Sequence, residues 1–117
     1  MISTVIGAAI EVHRHLGPGF IENIYHRAIS HELRLRHVEH EVEKEILVPY
    51  KQIKIPGQRL DLLIGREVIV EVKAVEQIAP IHEAQLISYL KSTGLRAGLI
   101  INFKVKQLKD GIRRFVL

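Results

Sequence analysis

Cysteine and tryptophan are both absent from the 117 residues. Without a thiol there is no disulfide framework, no thiolate zinc site and no cysteine nucleophile. The composition suits a reducing compartment, and a cytoplasmic location is the expectation. Aromatic residues are scarce, and three phenylalanines with three tyrosines argue against a broad platform for stacking single-stranded bases. No apolar run approaches the roughly 20 residues of a bilayer-spanning helix. MISTVIGAAIEVHRHLG has no basic segment ahead of its apolar part, so neither a membrane span nor a signal peptide is expected. Charge of one sign is not dominant either. Seventeen basic and thirteen acidic residues leave +4, which permits contact with polyanions without demanding it.

What remains is 47% hydrophobic and 26% charged, enough to bury a core, and the length fits one domain, residues 1–117. Ile2, Val5, Ile6, Ala9, Ile10 and His13 recur at helical spacing, and Leu16-Gly17-Pro18-Gly19 ends that helix. A second helix is predicted from about Phe20 to Arg36. Alternation from Glu39 to Tyr50 predicts a strand, with Ile55-Pro56-Gly57 as the turn after it. Strands at about Arg59–Ile64 and Glu67–Val75 are joined by Gly65-Arg66. Ala79-Pro80 opens a third helix, with proline in its first turn, that runs to about Ser92. RAGLIINF, Arg96–Phe103, is a continuous apolar run of the kind found in a strand covered on both faces. Ile112–Leu117 follows the Asp110-Gly111 turn as a closing strand. Helix, helix, three strands, helix and one or two strands make a mixed α/β domain. The apolar first helix either packs on the domain or forms the interface of a homodimer or larger assembly, and the sequence leaves both open.

Three charges intrude on RLDLLIGREVIVEVKAV, residues 59–75. Strand side chains alternate between faces. Glu71 and Lys73 therefore share one face of their strand, while Val68, Val70, Val72 and Ala74 form a uniformly apolar opposite face. Asp61 shares its face with Leu63, with Leu60, Leu62 and Ile64 opposite. If positions 62 and 70 face each other around the Gly65-Arg66 turn, Asp61 and Glu71 become neighbours across the ladder. Two carboxylates so close repel unless something positive lies between them. Lys73 supplies one charge and a divalent cation would supply more; hard oxygen ligands suit Mg²⁺ or Mn²⁺. The alternative is a structural ion pair of Lys73 with either carboxylate at the sheet edge.

Asp61, followed by Glu71-Val72-Lys73, resembles the signature of the PD-(D/E)XK nuclease superfamily, in which a turn joins the aspartate strand to the (D/E)XK strand. Leu60 stands where the usual proline would be. Gly19-Phe20-Ile21-Glu22-Asn23-Ile24-Tyr25 has the form GxxExxY. Together with AAIEVHRHLGPGF, AVEQIAPIHEAQLISYLKSTGLRAGLIINF and LKDGIRRFVL, it is similar to the small bacterial and archaeal family named after that motif. The resemblance covers nearly the whole chain. It implies a restriction-endonuclease-like core, a central mixed β-sheet flanked by helices, with an extra N-terminal helix. It also implies metal-dependent hydrolysis of phosphodiester bonds in nucleic acid, DNA before RNA. The other reading it leaves is a module that binds nucleic acid or protein through the same fold without efficient catalysis.

Roles follow from the same resemblance. Asp61, Glu71 and Glu22 would hold one or two Mg²⁺ (or Mn²⁺) ions, with the Val72 carbonyl as an extra ligand. Lys73 would orient the attacking water or stabilise the transition state. Tyr25, on the helix face of Glu22, would reach a phosphate or orient Glu22; otherwise it is a packed tyrosine with a locally bonded hydroxyl. Gln85 and Tyr89 resemble a QxxxY arrangement, in which Gln85 would hold Lys73 or the water and Tyr89 would touch the substrate backbone. A polar helix face explains that pair equally well. Lys51, Lys54, Arg59, Arg66, Arg96 and Arg114, with lysines and Arg113 near the C-terminus, are offered as a basic rim. His13 reads as a hydrogen-bonded structural histidine, His82 as accessory, and the other histidines show no metal-ligand spacing.

Overall fold

The computed structural model describes residues 1–117. Helix α1 (Ile2–Leu16) buries Val5, Ala8, Ala9 and Val12, positions that recur on one face of a 3.6-residue helix. Helix α2 (Glu22–Leu35) buries Tyr25, Ile29 and Leu33 along a similar stripe. Both lie on one face of a five-stranded sheet made of β1 (His40–Tyr50), β2 (Ile53–Ile64), β3 (Val68–Lys73), β4 (Ala97–Asn102) and β5 (Ile112–Val116). The strands stand in the order β1-β2-β3-β4-β5; β3 and β4 are parallel and the other pairs antiparallel. A parallel pair needs a crossover. Helix α3 (Pro80–Thr93) supplies it and covers the opposite face. The mixed sheet flanked by helices is the fold expected, and α1 packs on the domain rather than standing free.

Two apolar clusters hold the layers together. Val68, Val70 and Val72 of β3 join Leu62, Ile64, Leu99 and Ile101 against α1 and α2. Ile69, Leu63 and Ile100 point the other way, toward Leu86, Tyr89 and Leu90 of α3. Completely burying one such aliphatic side chain stabilises the fold by about 1.5–3 kcal/mol. Helix α3 approaches β4 closely because residue 98 is glycine: a Cβ there would stand 2.8 Å from Leu86. No helix is long and apolar enough to cross a membrane.

Two expectations need correction. Pro56-Gly57 is not the turn between β1 and β2. That turn is Lys51-Gln52, whose φ values of 41° and 72° are those of a tight primed hairpin turn, with Tyr50 opposite Ile53. Pro56 and Gly57 lie inside β2, where the register slips between Ile46–Gln58 and Val48–Ile55. An irregularity in the ladder is where a strand tolerates proline, and Gly57 takes a φ of 115° there. Leu60 also departs from simple alternation, joining Leu63 in the α3-side cluster instead of Leu62 and Ile64. The strand changes its facing at Asp61, where its ladder with β3 ends and its neighbour Glu43 on β1 takes a φ of 52°.

Candidate active site

The β2–β3 ladder runs from Ile64–Val68 to Leu62–Val70 and goes no further, so positions 62 and 70 face each other as expected. Beyond them, side chains take over the main-chain hydrogen bonding. The Asp61 N–H donates to Glu71 Oε2 at 3.0 Å, and the Val72 N–H donates to Asp61 Oδ2 at 2.8 Å. Each carboxylate thus accepts an amide of the opposite strand, which holds both rotamers. The second oxygen of each carboxylate accepts no protein hydrogen bond, and no buried side-chain N or O atom lacks a partner. Those two oxygens are therefore not sealed in the core and are free to take another ligand.

Glu71 is buried, with 4% of its surface exposed. Burial pushes its carboxyl up to about 8, with the Asp61 charge adding to the rise and Glu22 adding less. Burial likewise raises Asp61, against the Val72 amide and the charges of His26 and Lys73. Lys73 is half-buried on the face of Glu71 and is near enough to pull both carboxyls back down. It makes no ion pair and no side-chain hydrogen bond, so the structural ion pair is not formed. Glu22 sits exposed in the first turn of α2. The structure therefore brings Glu22, Asp61, Glu71 and Lys73 into one electrostatic neighbourhood. The site offers two fixed carboxylates with open oxygens, whose repulsion a divalent cation would relieve; the donor set fits Mg²⁺ or Mn²⁺.

Two further side chains belong to this neighbourhood and were not anticipated. Glu43 lies opposite Asp61, between the pairs Val42–Leu62 and Lys44–Leu60. His26, from α2, places Nε2 at 3.1 Å from the Asp61 carbonyl oxygen and 3.5 Å from Glu43 Oε1. Both neighbours are acceptors, so Nε2 carries the proton. A ring nitrogen of His26 and one carboxylate oxygen each of Glu43 and Asp61 lie within 4.8 Å of one another. The spacing Glu22-x-x-x-His26 was a usable signal, since residues four apart share a helix face. Glu43 had none, because it arrives by strand pairing.

Other expected residues lie elsewhere in role. Tyr25 is fully buried, its ring stacked on Phe103 at 4.6 Å between centroids. Its hydroxyl donates to the Gly17 carbonyl and accepts the Phe20 N–H. That is the packed alternative, and contact with a phosphate is ruled out by burial. Tyr89 is 5% exposed and accepts a hydrogen bond from Gln58 Nε2 at 2.6 Å. Burial, then the charges of Glu71 and Asp61, push its hydroxyl up to about 12, so it borders the site from within the core. Gln85 is half-buried on α3 and bonds neither Lys73 nor another side chain. His82 Nδ1 accepts the Ala79 N–H and caps α3, and His13 Nε2 donates to the Val105 carbonyl. The basic rim divides. Arg66, Arg96 and Arg114 line the largest cavity, about 730 Å³. That cavity adjoins Val68 and Ala97, at the start of the parallel strands, whereas Glu71 and Lys73 stand at the far end of β3.

A family model described as the PD-(D/E)XK nuclease superfamily matches residues 1–115. No curated protein and no solved structure shows significant similarity to the chain.

Proposed function

The chain belongs to the PD-(D/E)XK nuclease superfamily, and from that membership we propose that it is a metal-dependent nuclease hydrolysing phosphodiester bonds, in DNA before RNA. Within the superfamily we assign it to the GxxExxY group on Gly19 through Tyr25. The observation that carries the reading is the reciprocal Asp61–Glu71 pair across two splayed strands, with Lys73 unpaired beside it.

Asp61 and Glu71 would hold the cation through their open oxygens, with Glu22 and the Val72 carbonyl completing the protein ligands. Mg²⁺ or Mn²⁺ in that place supplies a lowered pKa for water and charge neutralisation on the phosphate. Hydrogen bonds from the Val72 and Asp61 N–H groups fix the Asp61 and Glu71 carboxylates in turn. Lys73 would then direct its ammonium at the phosphate oxygens, where negative charge grows as the water oxygen attacks phosphorus. His26 holds the Asp61 backbone, and Glu43 faces the same imidazole nitrogen.

The test is Lys73→Ala against a synthetic duplex with Mg²⁺ or Mn²⁺. Removing one donor that stabilises transition-state charge typically costs about 10²–10³ in kcat, and a loss of at least that size is expected. Circular dichroism and metal binding should stay near wild type. Equal cleavage by this variant would overturn the mechanism.

A further inference from the structure

Helix α2 carries a stripe of basic side chains that no carboxylate answers. Arg27, His31 and Arg34 recur at i, i+4 and i+7, one face of a helix. All three are exposed and none forms an ion pair, although Glu32 of the same helix is bound to Arg36 at 2.8 Å. With His26, Ser30 and Val42 they line a cleft of about 580 Å³ between α2 and β1, which has no acidic residue in its walls.

The cleft is built at both ends. Arg34 donates to Ser30 Oγ at 3.2 Å, the Ser30 hydroxyl to His40 Nε2 at 2.8 Å, and His40 Nδ1 to the Val38 carbonyl at 2.9 Å. That relay anchors one guanidinium to the strand leading into the site. At the other end His26 touches the Asp61 carbonyl and lies within 4.8 Å of an Asp61 carboxylate oxygen, so the cleft ends beside Asp61. The cations at its rim are uncompensated, one of them is fixed, and the walls contain no aromatic ring except imidazole. This chemistry fits a phosphodiester backbone and not a stack of bases.

We propose that the cleft holds the sugar–phosphate backbone of the substrate strand beside the scissile bond, an assignment that rests on the nuclease reading above. From His26 to Arg34 the helix rises about 12 Å. One strand presents a phosphate about every 3.4 Å of duplex axis and more widely along its own path, so that length spans at most three to four phosphates on one side of the cut. Contacts of this kind set register without reading sequence.

The experiment is binding of a short synthetic duplex by Lys73→Ala protein, measured by fluorescence anisotropy over a salt series. Adding Arg27→Ala and Arg34→Ala should weaken binding and lower the slope of log K against log salt by about 0.9 for each arginine. Arg27→Lys with Arg34→Lys should restore most of the slope. In the otherwise wild-type chain, a neutral methylphosphonate placed within the span should slow cleavage, and the same replacement should have no further effect in the Arg27→Ala/Arg34→Ala protein. Both arginines are exposed, so the variants should fold, and circular dichroism checks this. Unchanged affinity and salt slope in the double alanine variant overturn the proposal even where the wild type cuts the duplex. A wild type that binds through these arginines and never cuts leaves the cleft as a backbone-binding surface and sinks the nuclease reading instead.

Discussion

Strand β3 has two faces of different kinds. Val68, Val70 and Val72 form one, closed against α1 and α2 in the larger apolar cluster. Ile69, Glu71 and Lys73 form the other, which begins in the α3-side cluster and turns charged within two residues. The change coincides with the end of the β2–β3 ladder. Where main-chain pairing stops, two amides need acceptors, and the carboxylates of Asp61 and Glu71 provide them. A continuous apolar face keeps the strand in register, so the other face can host a defect in the ladder and the buried Glu71 carboxyl beside the half-buried Asp61. Stability and chemistry are thus divided across one strand, and that division can be tested by substitution on each side.

The largest stability effect is expected on the apolar face. Leu99 of β4 is fully buried in the α1/α2 cluster. Leu99→Ala should cost about 2–5 kcal/mol through lost burial and the cavity left behind. Urea unfolding measures the loss, and cleavage per folded molecule should stay unchanged. A fall in activity as steep as that expected for Lys73→Ala would show that the two faces are not separable.

The charged face should respond to pH instead. Glu71 has a folded pKa near 8 against an ordinary value of 4.5. A carboxyl raised in this way favours the folded state most below its unfolded pKa, and that contribution disappears as pH rises through the folded value. Asp61 shifts in the same direction. The metal-free protein should therefore lose stability between about pH 4.5 and pH 8, by an amount on the order of a few kcal/mol. Glu71→Gln should flatten most of that dependence and be more stable than wild type at the alkaline end, while losing cleavage. Adding Mg²⁺ should raise the wild-type Tm at alkaline pH and do much less for the variant. A wild-type Tm independent of pH would mean that Glu71 is not held against its own charge.

Much of this architecture could be read from the sequence because the signals were local. Gly94, with φ 75°, ends α3 where helical periodicity stops, and the valine alternation places β3. The Asp61–Glu71 juxtaposition followed from a short turn and a period of two. What escaped depended on contacts distant in sequence or on unmarked backbone. Lys51-Gln52 carries no glycine, asparagine or aspartate, so the more conspicuous Pro56-Gly57 reads as the turn in the sequence. Glu43 enters the site only through pairing of β1 with β2, inside a run of charges that looks like a solvated face. Leu60 changed sides because a strand that loses a partner is free to turn. Asn102 lies inside the apolar run Arg96–Phe103, with nothing in the sequence to mark it. It fastens the chain leaving β3, accepting the Val75 N–H at 3.0 Å and donating to the Val75 carbonyl at 2.8 Å.

The smallest effect separates the tyrosine from the glutamate it was grouped with. Tyr25 and Glu22 lie three residues apart, yet one is fully buried and the other exposed. Tyr25→Phe keeps the ring and its stacking on Phe103 and removes only the hydroxyl. That hydroxyl joins Gly17 to Phe20 across the loop before α2. Two hydrogen bonds of ordinary net worth amount to about 1–3 kcal/mol, and a loss in that range is expected. Urea unfolding should register this decrease while kcat and KM stay close to wild type. Glu22→Gln should do the reverse, leaving the unfolding midpoint alone and weakening cleavage and metal affinity. If Tyr25→Phe lowered kcat as far as Glu22→Gln, the loop hydroxyl would be positioning Glu22, and the buried face of α2 would have to be counted with the site.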